Sequence, residues 1–300
     1  MKFAVFTVST PTYTPEDAVA KLKEIGYDGI EWRVIDEEPY GGPPGFWKGN
    51  LCNLSLSSIV EEAPRFRRLA SDAGLGTPTI APYVKCNDIE GAALAMRGAT
   101  ALGVSQLRIQ VPSYSAEEPF QPKWDRAREH YKSIAELAAT LGVRALIELH
   151  HRTICPSASS ARLFLDGFDP AHVGVIHDAG NMVYEGFENY RLGLEILGPY
   201  LAHIHLKNAR WFPIRTLPDR TVEWSVDAAA VHKGMVDVRA LFRALHAIGY
   251  DGWVTIEDFS IERPLDERLA ENLAYVKAVE AETRLVGGAT AAPSSASRAM

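Results

Sequence analysis

Eight short apolar, β-branched runs alternate with amphipathic segments along most of the chain, and this alternation narrows the possible folds more than any other feature. The runs are KFAVF (2–6), GIEWRV (29–34), TPTIAPYV (77–84), QLRIQV (106–111), VRALIE (143–148), VGVIHD (173–178), LAHIH (201–205) and WVTIE (253–257). Strands that alternate with helices build βα units and a parallel sheet. The helical grammar is clearest in 14–26, where Thr14 is placed to cap, Pro15 takes the first helical position and acids fill the first turn. The segments 57–74, 87–103, 123–142, 236–249 and 265–284 follow it. All but the last end in glycine, which fits a left-handed cap before the next strand. IGYDG occurs twice, at 25–29 and 248–252, each time after a helical segment and before a strand. A chain of 300 residues, 47% hydrophobic, is the size of one α/β barrel.

Two segments break the rhythm. PYGGPPGFWKGN (39–50) reads as a loop. The stretch 208–234 reads as a long loop whose Trp211, Phe212 and Trp224 argue for order, so it is expected to be a lid or the interface arm of a homo-oligomer, a dimer or tetramer. The domain is expected to span 1–285, and the small-residue tail 286–300 to be disordered.

Composition excludes several classes. The formal net charge is -7, and no basic stripe marks a nucleic-acid partner. Arg65, Arg67 and Arg68 read as a solvated helix face. Three separated cysteines, with no C-x-x-C pair, fit neither a disulfide framework nor a thiolate zinc site, and imply a reducing compartment. With no signal-peptide pattern and no long apolar span, the expectation is a cytoplasmic protein without a membrane segment.

Four of the runs end in Glu148, Asp178, His205 and Glu257. If these runs are neighbouring strands of one barrel, their ends meet on the face where such barrels do chemistry. Three carboxylates and an imidazole suit Mn²⁺, Mg²⁺, Co²⁺ or Zn²⁺, and leave coordination positions open for a substrate. A divalent ion that grips a carbonyl and a neighbouring hydroxyl acidifies the adjacent C–H, and a carboxylate beside it can remove that proton to give an enediolate. The competing reading is local: an acid at a strand end often caps the next helix, and Asp178 before Ala-Gly-Asn also fits a turn. Strand alternation pairs Glu148 with His150, puts His203 one layer below His205, and turns His177 to the opposite side.

GYDGIEW (26–32), IELH (147–150), DAGN (178–181), HIHLKN (203–208) and GYDGWVTIE (249–257) resemble the sugar phosphate isomerase/epimerase superfamily, the xylose-isomerase-like TIM barrels. The resemblance implies a (β/α)8 barrel with one divalent ion, Mn²⁺ first among the candidates. Glu148, Asp178, His205 and Glu257 would be its ligands, with Glu148 and Glu257 also the acid/base pair. The ketose 3-epimerases of the family have Glu, His and Arg where this chain has Ile154, Asn181 and Trp211. His150 is then the candidate additional base, which points toward the family's lyases and dehydratases. Lys207, Asn181, Trp211, Arg210, Gln110, Tyr83 and Trp32 are candidates for gripping a small-molecule sugar substrate. The expected activity is a metal-dependent isomerase or epimerase of a keto or hydroxy sugar. A metal-dependent lyase or dehydratase is the alternative. A DNA-repair endonuclease of the superfamily and an inactive binding barrel stand further back.

Overall fold

The apolar runs become strands that close into a ring. The computed structural model describes residues 1–288. Its elements are β1 (Lys2–Phe6), α1 (Pro15–Ile25), β2 (Gly29–Val34), β3 (Asn53–Leu54), α2 (Ile59–Asp72), β4 (Ile80–Pro82), α3 (Ile89–Leu102), β5 (Gln106–Arg108), α4 (Phe120–Leu141), β6 (Arg144–Glu148), α5 (Ala158–Phe164), β7 (Val173–Asp178), α6 (Ala179–Tyr184), α7 (Tyr190–Leu197), β8 (Leu201–Leu206), β9 (Asn208–Thr216), β10 (Val222–Ala229), α8 (Val238–Ala247), β11 (Trp253–Ile256) and α9 (Leu265–Gly288). The strands run in the order β1, β2, β4, β5, β6, β7, β8, β11, and β11 pairs with β1. Every pair in the ring is parallel, so this is a single-domain (β/α)8 barrel of the α/β class.

The local signals act as expected. Thr14 and Asp17 form a reciprocal capping box at the start of α1, and Gly26 closes that helix at φ 93°. Strands β4 and β5 are shorter than the runs that announce them. Pro82 has no N–H to extend a ladder, and beyond it only an isolated bridge, Lys85 to Gln110, continues the pairing. Helix α4 begins at Phe120 rather than 123, because Pro122 falls in its first turn, where no intrahelical N–H bond is needed. Helices α5, α6 and α7 are short, and each opens on a side-chain cap, Ser157, Asp178 and Asn189 in turn.

The segment 208–234 is not a loop. β9 and β10 form an antiparallel hairpin with Trp211 opposite Val226 and Phe212 opposite Ser225. Phe212, Ile214, Val222 and Trp224 are exposed on it. The expected tail falls outside the described residues from 289 onward, and α9 runs to Gly288. Among the described residues no helix is long and apolar enough to cross a membrane. All three cysteines are free and buried.

Side-chain alternation divides each strand between two environments. On β2, Ile30, Trp32 and Val34 join the large apolar core that includes Leu22 of α1 and Phe66 of α2. Glu31 and Arg33 alternate with them and are just as buried. Trp32, a candidate for gripping substrate, is 0% exposed and meets Phe66 edge-on at 4.8 Å, so it packs barrel against helix. Inside the barrel lies a small apolar cluster, Phe6, Val8 and Ala81, with Tyr83 and Phe259 packed on it, and Leu146 and Ile176 share the face of Glu148 and Asp178. The same interior also holds Glu31, Arg108, Glu148, Asp178, His203, His205, Thr255 and Glu257, all buried. Charged groups are seldom buried without partners or a function.

Candidate metal centre

Glu148 ends β6, Asp178 ends β7, His205 lies on β8 and Glu257 follows β11, and these strands are consecutive neighbours in the ring. Register sets Asp178 beside His205, and His205 beside Thr255, two residues before Glu257. One donor atom from each of the four residues lies within 4.8 Å of the others. His205 Nδ1 is 2.5 Å from Glu257 Oε1 and 3.6 Å from Glu148 Oε1. His205 Nε2 points across the barrel, 3.1 Å from both oxygens of Glu31. An ionised carboxylate can only accept, so Nε2 carries the proton there. His203, one layer deeper, has Nε2 2.9 Å from Thr255 Oγ1 and 3.3 Å from Glu31, while its Nδ1 is buried without a partner among the described residues.

The D-A-G-N sequence has three jobs. Asp178 Oδ1 caps α6 by accepting the Asn181 N–H at 2.9 Å, so it is both a helix cap and a member of the cluster. A Cβ on Gly180 would sit 2.7 Å from the Lys207 carbonyl oxygen, so only glycine lets α6 lie this close to β8. The fully buried Asn181 amide donates to Glu148 at 3.1 Å, Asp178 at 2.9 Å and the Leu149 carbonyl at 3.0 Å. Its own oxygen accepts from His151 Nδ1 at 2.9 Å. Asn181 is thus committed to positioning the cluster rather than to gripping a substrate hydroxyl.

Two cations complete the site. Arg108 donates to Glu148 Oε2 at 2.6 Å. Lys207 Nζ is 2.7 Å from Asp178, 3.1 Å from Glu257 and 3.7 Å from Glu148. Four buried carboxylates, Glu31, Glu148, Asp178 and Glu257, therefore face two buried cations. With neutral imidazoles, two negative charges remain uncompensated, which a divalent cation would balance.

Titration behaviour reflects this excess. Burial works against the charge on Glu148, yet Arg108 and His205 hold it well below the usual carboxylate range. Glu31 is likewise kept ionised against burial by His205 and His203. Burial pushes Asp178 up to about 7; Lys207 opposes this, while Glu257 and Glu148 add to it. Burial disfavours a charged His205, but Glu31 and Glu257 outweigh it and push the imidazole well above its ordinary value. The site is short of positive charge, which either a proton or a metal ion can supply. Oxygen donors with one imidazole fit a hard or borderline divalent ion.

Two cavities open beside the cluster. The first, about 330 Å³, includes Lys85, Arg108, Gln110, Glu148 and Arg152 in its lining. The second, about 370 Å³, includes Trp47, Asn181, Tyr184, Lys207 and Phe259. His150 and His151 line both. β6 ends at Glu148, so strand alternation is not what turns His150 to the cavity; the loop does it, stacking the ring on His151 at 4.4 Å. His150 Nδ1 is 2.8 Å from the His151 carbonyl, so Nδ1 donates and Nε2 keeps the lone pair. Burial lowers its pKa, against the pull of Glu148, and favours this neutral ring.

Four candidates do not line these cavities: Trp32, packed on Phe66, and Tyr83, Arg210 and Trp211. Tyr83 is stacked between Arg33 at 4.9 Å and Arg108 at 4.8 Å. Arg210 is exposed on β9. Trp211 is tied away, its indole N–H donating to the Val183 carbonyl at 2.7 Å. Conversely, sequence reasoning passed over Glu31, Arg108 and His151. The signal for the first two was present: Glu31 and Arg33, and Arg108 and Gln110, are polar pairs at i, i+2 within apolar runs, the pattern of a charged barrel interior.

The model of the family described as xylose isomerase-like TIM barrel matches residues 19–279. An inosose dehydratase of Geobacillus thermodenitrificans (strain NG80-2) is 24% identical over 176 residues, 55% of this chain and 58% of that protein. The chain thus spans little more than half the length of that curated relative. Among solved structures, an L-ribulose 3-epimerase superposes with TM-score 0.73 at 17% identity, covering 98% of this chain and 99% of that one. A 3-keto-D-glucoside 4-epimerase from E. coli gives 0.69 at 16% identity, covering 93% and 99%.

Proposed function

The chain belongs to the xylose isomerase-like TIM barrel family, and on that premise we propose that it is a divalent-metal-dependent isomerase or epimerase of a keto or hydroxy sugar or sugar derivative. The observation that carries this reading is the convergence of Glu148, Asp178, His205 and Glu257 within 4.8 Å in a buried site whose carboxylates outnumber its Lys and Arg cations. Mn²⁺ is proposed first, ahead of Mg²⁺, Co²⁺ and Zn²⁺.

A bound divalent ion would supply Lewis acidity, polarising a carbonyl and its neighbouring hydroxyl. The protein's part is proton transfer and positioning. Glu148 and Glu257 are the proposed proton carriers. A proton taken from carbon by one and returned to the other face by its partner inverts the centre; returned at the adjacent carbon, it moves the carbonyl. Arg108 and Asn181 fix the Glu148 carboxylate through separate oxygens, Oε2 and Oε1. Lys207 can donate to a substrate oxygen from the wall of the second cavity. Burial of all four cluster residues keeps bulk water from the transferred proton.

A dehydratase is the second reading, favoured by the lone-pair Nε2 of His150 on the cavity wall and by the inosose dehydratase relatives. There, His150 would take the proton from the carbon next to the carbonyl, and the β-hydroxyl would leave as water. A nucleic-acid-cleaving role fits poorly with a net charge of -7.

Elemental analysis of the purified protein, with a panel of keto-sugars in D₂O, separates these readings. Solvent deuterium at carbon without loss of oxygen supports the isomerase. An unsaturated product supports the dehydratase. No exchange across the panel would leave a binding barrel.

The apolar residues exposed on the β9–β10 hairpin support its reading as the interface arm of a homo-oligomer. Light scattering tests it: a monomeric mass at micromolar concentration would refute that assignment.

A further inference from the structure

The two cavities differ in chemistry. The second presents aromatic faces, Trp47, Tyr184 and Phe259, with Lys207 as its one charged lining residue. The first is cationic: Lys85, Arg108 and Arg152 face a single carboxylate, Glu148. Arg108 is ion-paired with Glu148 through Nη1, and its Nε and Nη2 are buried without a partner among the described residues. Lys85 and Arg152 form no ion pair among the described residues, so the cavity wall keeps two uncommitted positive charges.

This wall is built, not fortuitous. The loops after β4, β5 and β6 are braced to one another by backbone bridges, Lys85 to Gln110 and Ser113 to Thr153. The Cys86 N–H donates to the Gln110 carbonyl at 2.8 Å, and the Tyr114 N–H to the Arg152 carbonyl at 2.9 Å. Arg152 itself is held at φ 59°, in the left-handed region where an arginine is strained. Its N–H is clamped by Glu185 Oε2 at 2.7 Å. Strain retained in a braced cavity wall is a mark of function. Around the two cations stand neutral donors, Gln110, Ser113 and Thr153.

We propose that the substrate carries an anionic oxyacid group, a carboxylate or a phosphate, which Lys85 and Arg152 bind in the first cavity while an uncharged sugar-like face rests against Trp47 and Phe259 in the second. This deepens the reading of Glu148 and Glu257 as the reacting centre and rests on it, since the two cavities meet beside them at His150 and His151. Lys85 and Arg152 are exposed on a backbone that is braced, so each contact with an anion is screened by solvent, but the two together discriminate between a charged and a neutral ligand of equal size by about tenfold.

Calorimetry on the metal-loaded protein tests this with D-fructose, D-fructose 6-phosphate and 2-keto-D-gluconate. We expect at least one charged ligand to bind about tenfold or more tighter than D-fructose. A preference for the phosphate or for the carboxylate identifies the group. In the Lys85→Gln/Arg152→Gln variant, the ratio of charged to neutral affinity should fall close to one, with the thermal midpoint and circular dichroism showing that the fold is kept. Added salt should weaken only the charged ligands. Equal affinities in the natural protein, an unchanged ratio in the variant, or no binding of either charged ligand at millimolar concentration overturns the proposal. Absence of deuterium exchange with every ligand would defeat the isomerase reading alone, because the affinity ratio is read without turnover.

Discussion

Glu31 holds His205 from the far side of the barrel, with Nε2 of the imidazole 3.1 Å from each carboxylate oxygen. β2 and β8 are not neighbours in the ring, so this is a contact across the interior. It fixes which ring nitrogen carries the proton, and directs Nδ1 toward Glu148 and Glu257. Carboxylates that orient a ligating histidine commonly change metal affinity by about 10- to 100-fold. Glu31→Gln should therefore weaken Mn²⁺ binding by about that factor, measured by competition with a chelator. An unchanged dissociation constant would show that Glu31 serves only the fold.

Cation binding should release protons. Asp178 is pushed up to about 7 by burial and by its acidic neighbours, and His205 lies well above its ordinary value. Protons on these groups compete with the ion, so apparent affinity should fall as pH drops through about 7 and rise above it. Calorimetry of Mn²⁺ binding in buffers of differing ionisation enthalpy measures the release directly. Buffer-independent heats at neutral pH would contradict it. A saturating ion should also raise the thermal midpoint by roughly 5 °C at a hundredfold excess over its dissociation constant.

Asn181 ties Glu148, Asp178 and His151 together through buried hydrogen bonds. Asn181→Ala leaves these partners short of a donor and an acceptor, at a cost of about 1–3 kcal/mol of stability. The cluster loses its brace, so ion affinity should drop as well. Urea unfolding of the protein without added ion, set against ion titration of the folded protein, separates the two effects. Loss of stability with full ion affinity would reduce Asn181 to a packing residue.

Trp32 and Trp211 should respond in opposite ways. Trp32→Ala removes a fully buried side chain packed on Phe66, and should cost about 3–5 kcal/mol. Trp211→Ala removes a residue 40% exposed on the hairpin and one hydrogen bond to Val183, and should cost only about 1 kcal/mol. Denaturant midpoints check both. A mild effect at Trp32 would put the indole outside the core, where a substrate contact becomes tenable again.

What the chain announces on its own is what depends on neighbours in sequence. Apolar runs with helical segments between them specify βα units. Gly26, Gly103, Gly142 and Gly249 mark their boundaries because a left-handed residue must stand there. Glu148, Asp178, His205 and Glu257 are legible because a parallel barrel gathers the ends of its strands on one face. Where the backbone leaves the strand, alternation stops informing: His150 reaches the cavity by a loop, and the stretch 208–234 pairs with itself as a hairpin because its two arms can satisfy each other's N–H and C=O groups. Only ring closure brings Glu31 to His205, 174 residues away in sequence. Closure likewise sets Lys207 among three carboxylates and turns Trp32 outward while Glu31 turns in. Charge balance, hydrogen-bond partners and cavity walls are properties of groups distant in the chain, so the tertiary structure alone could decide them.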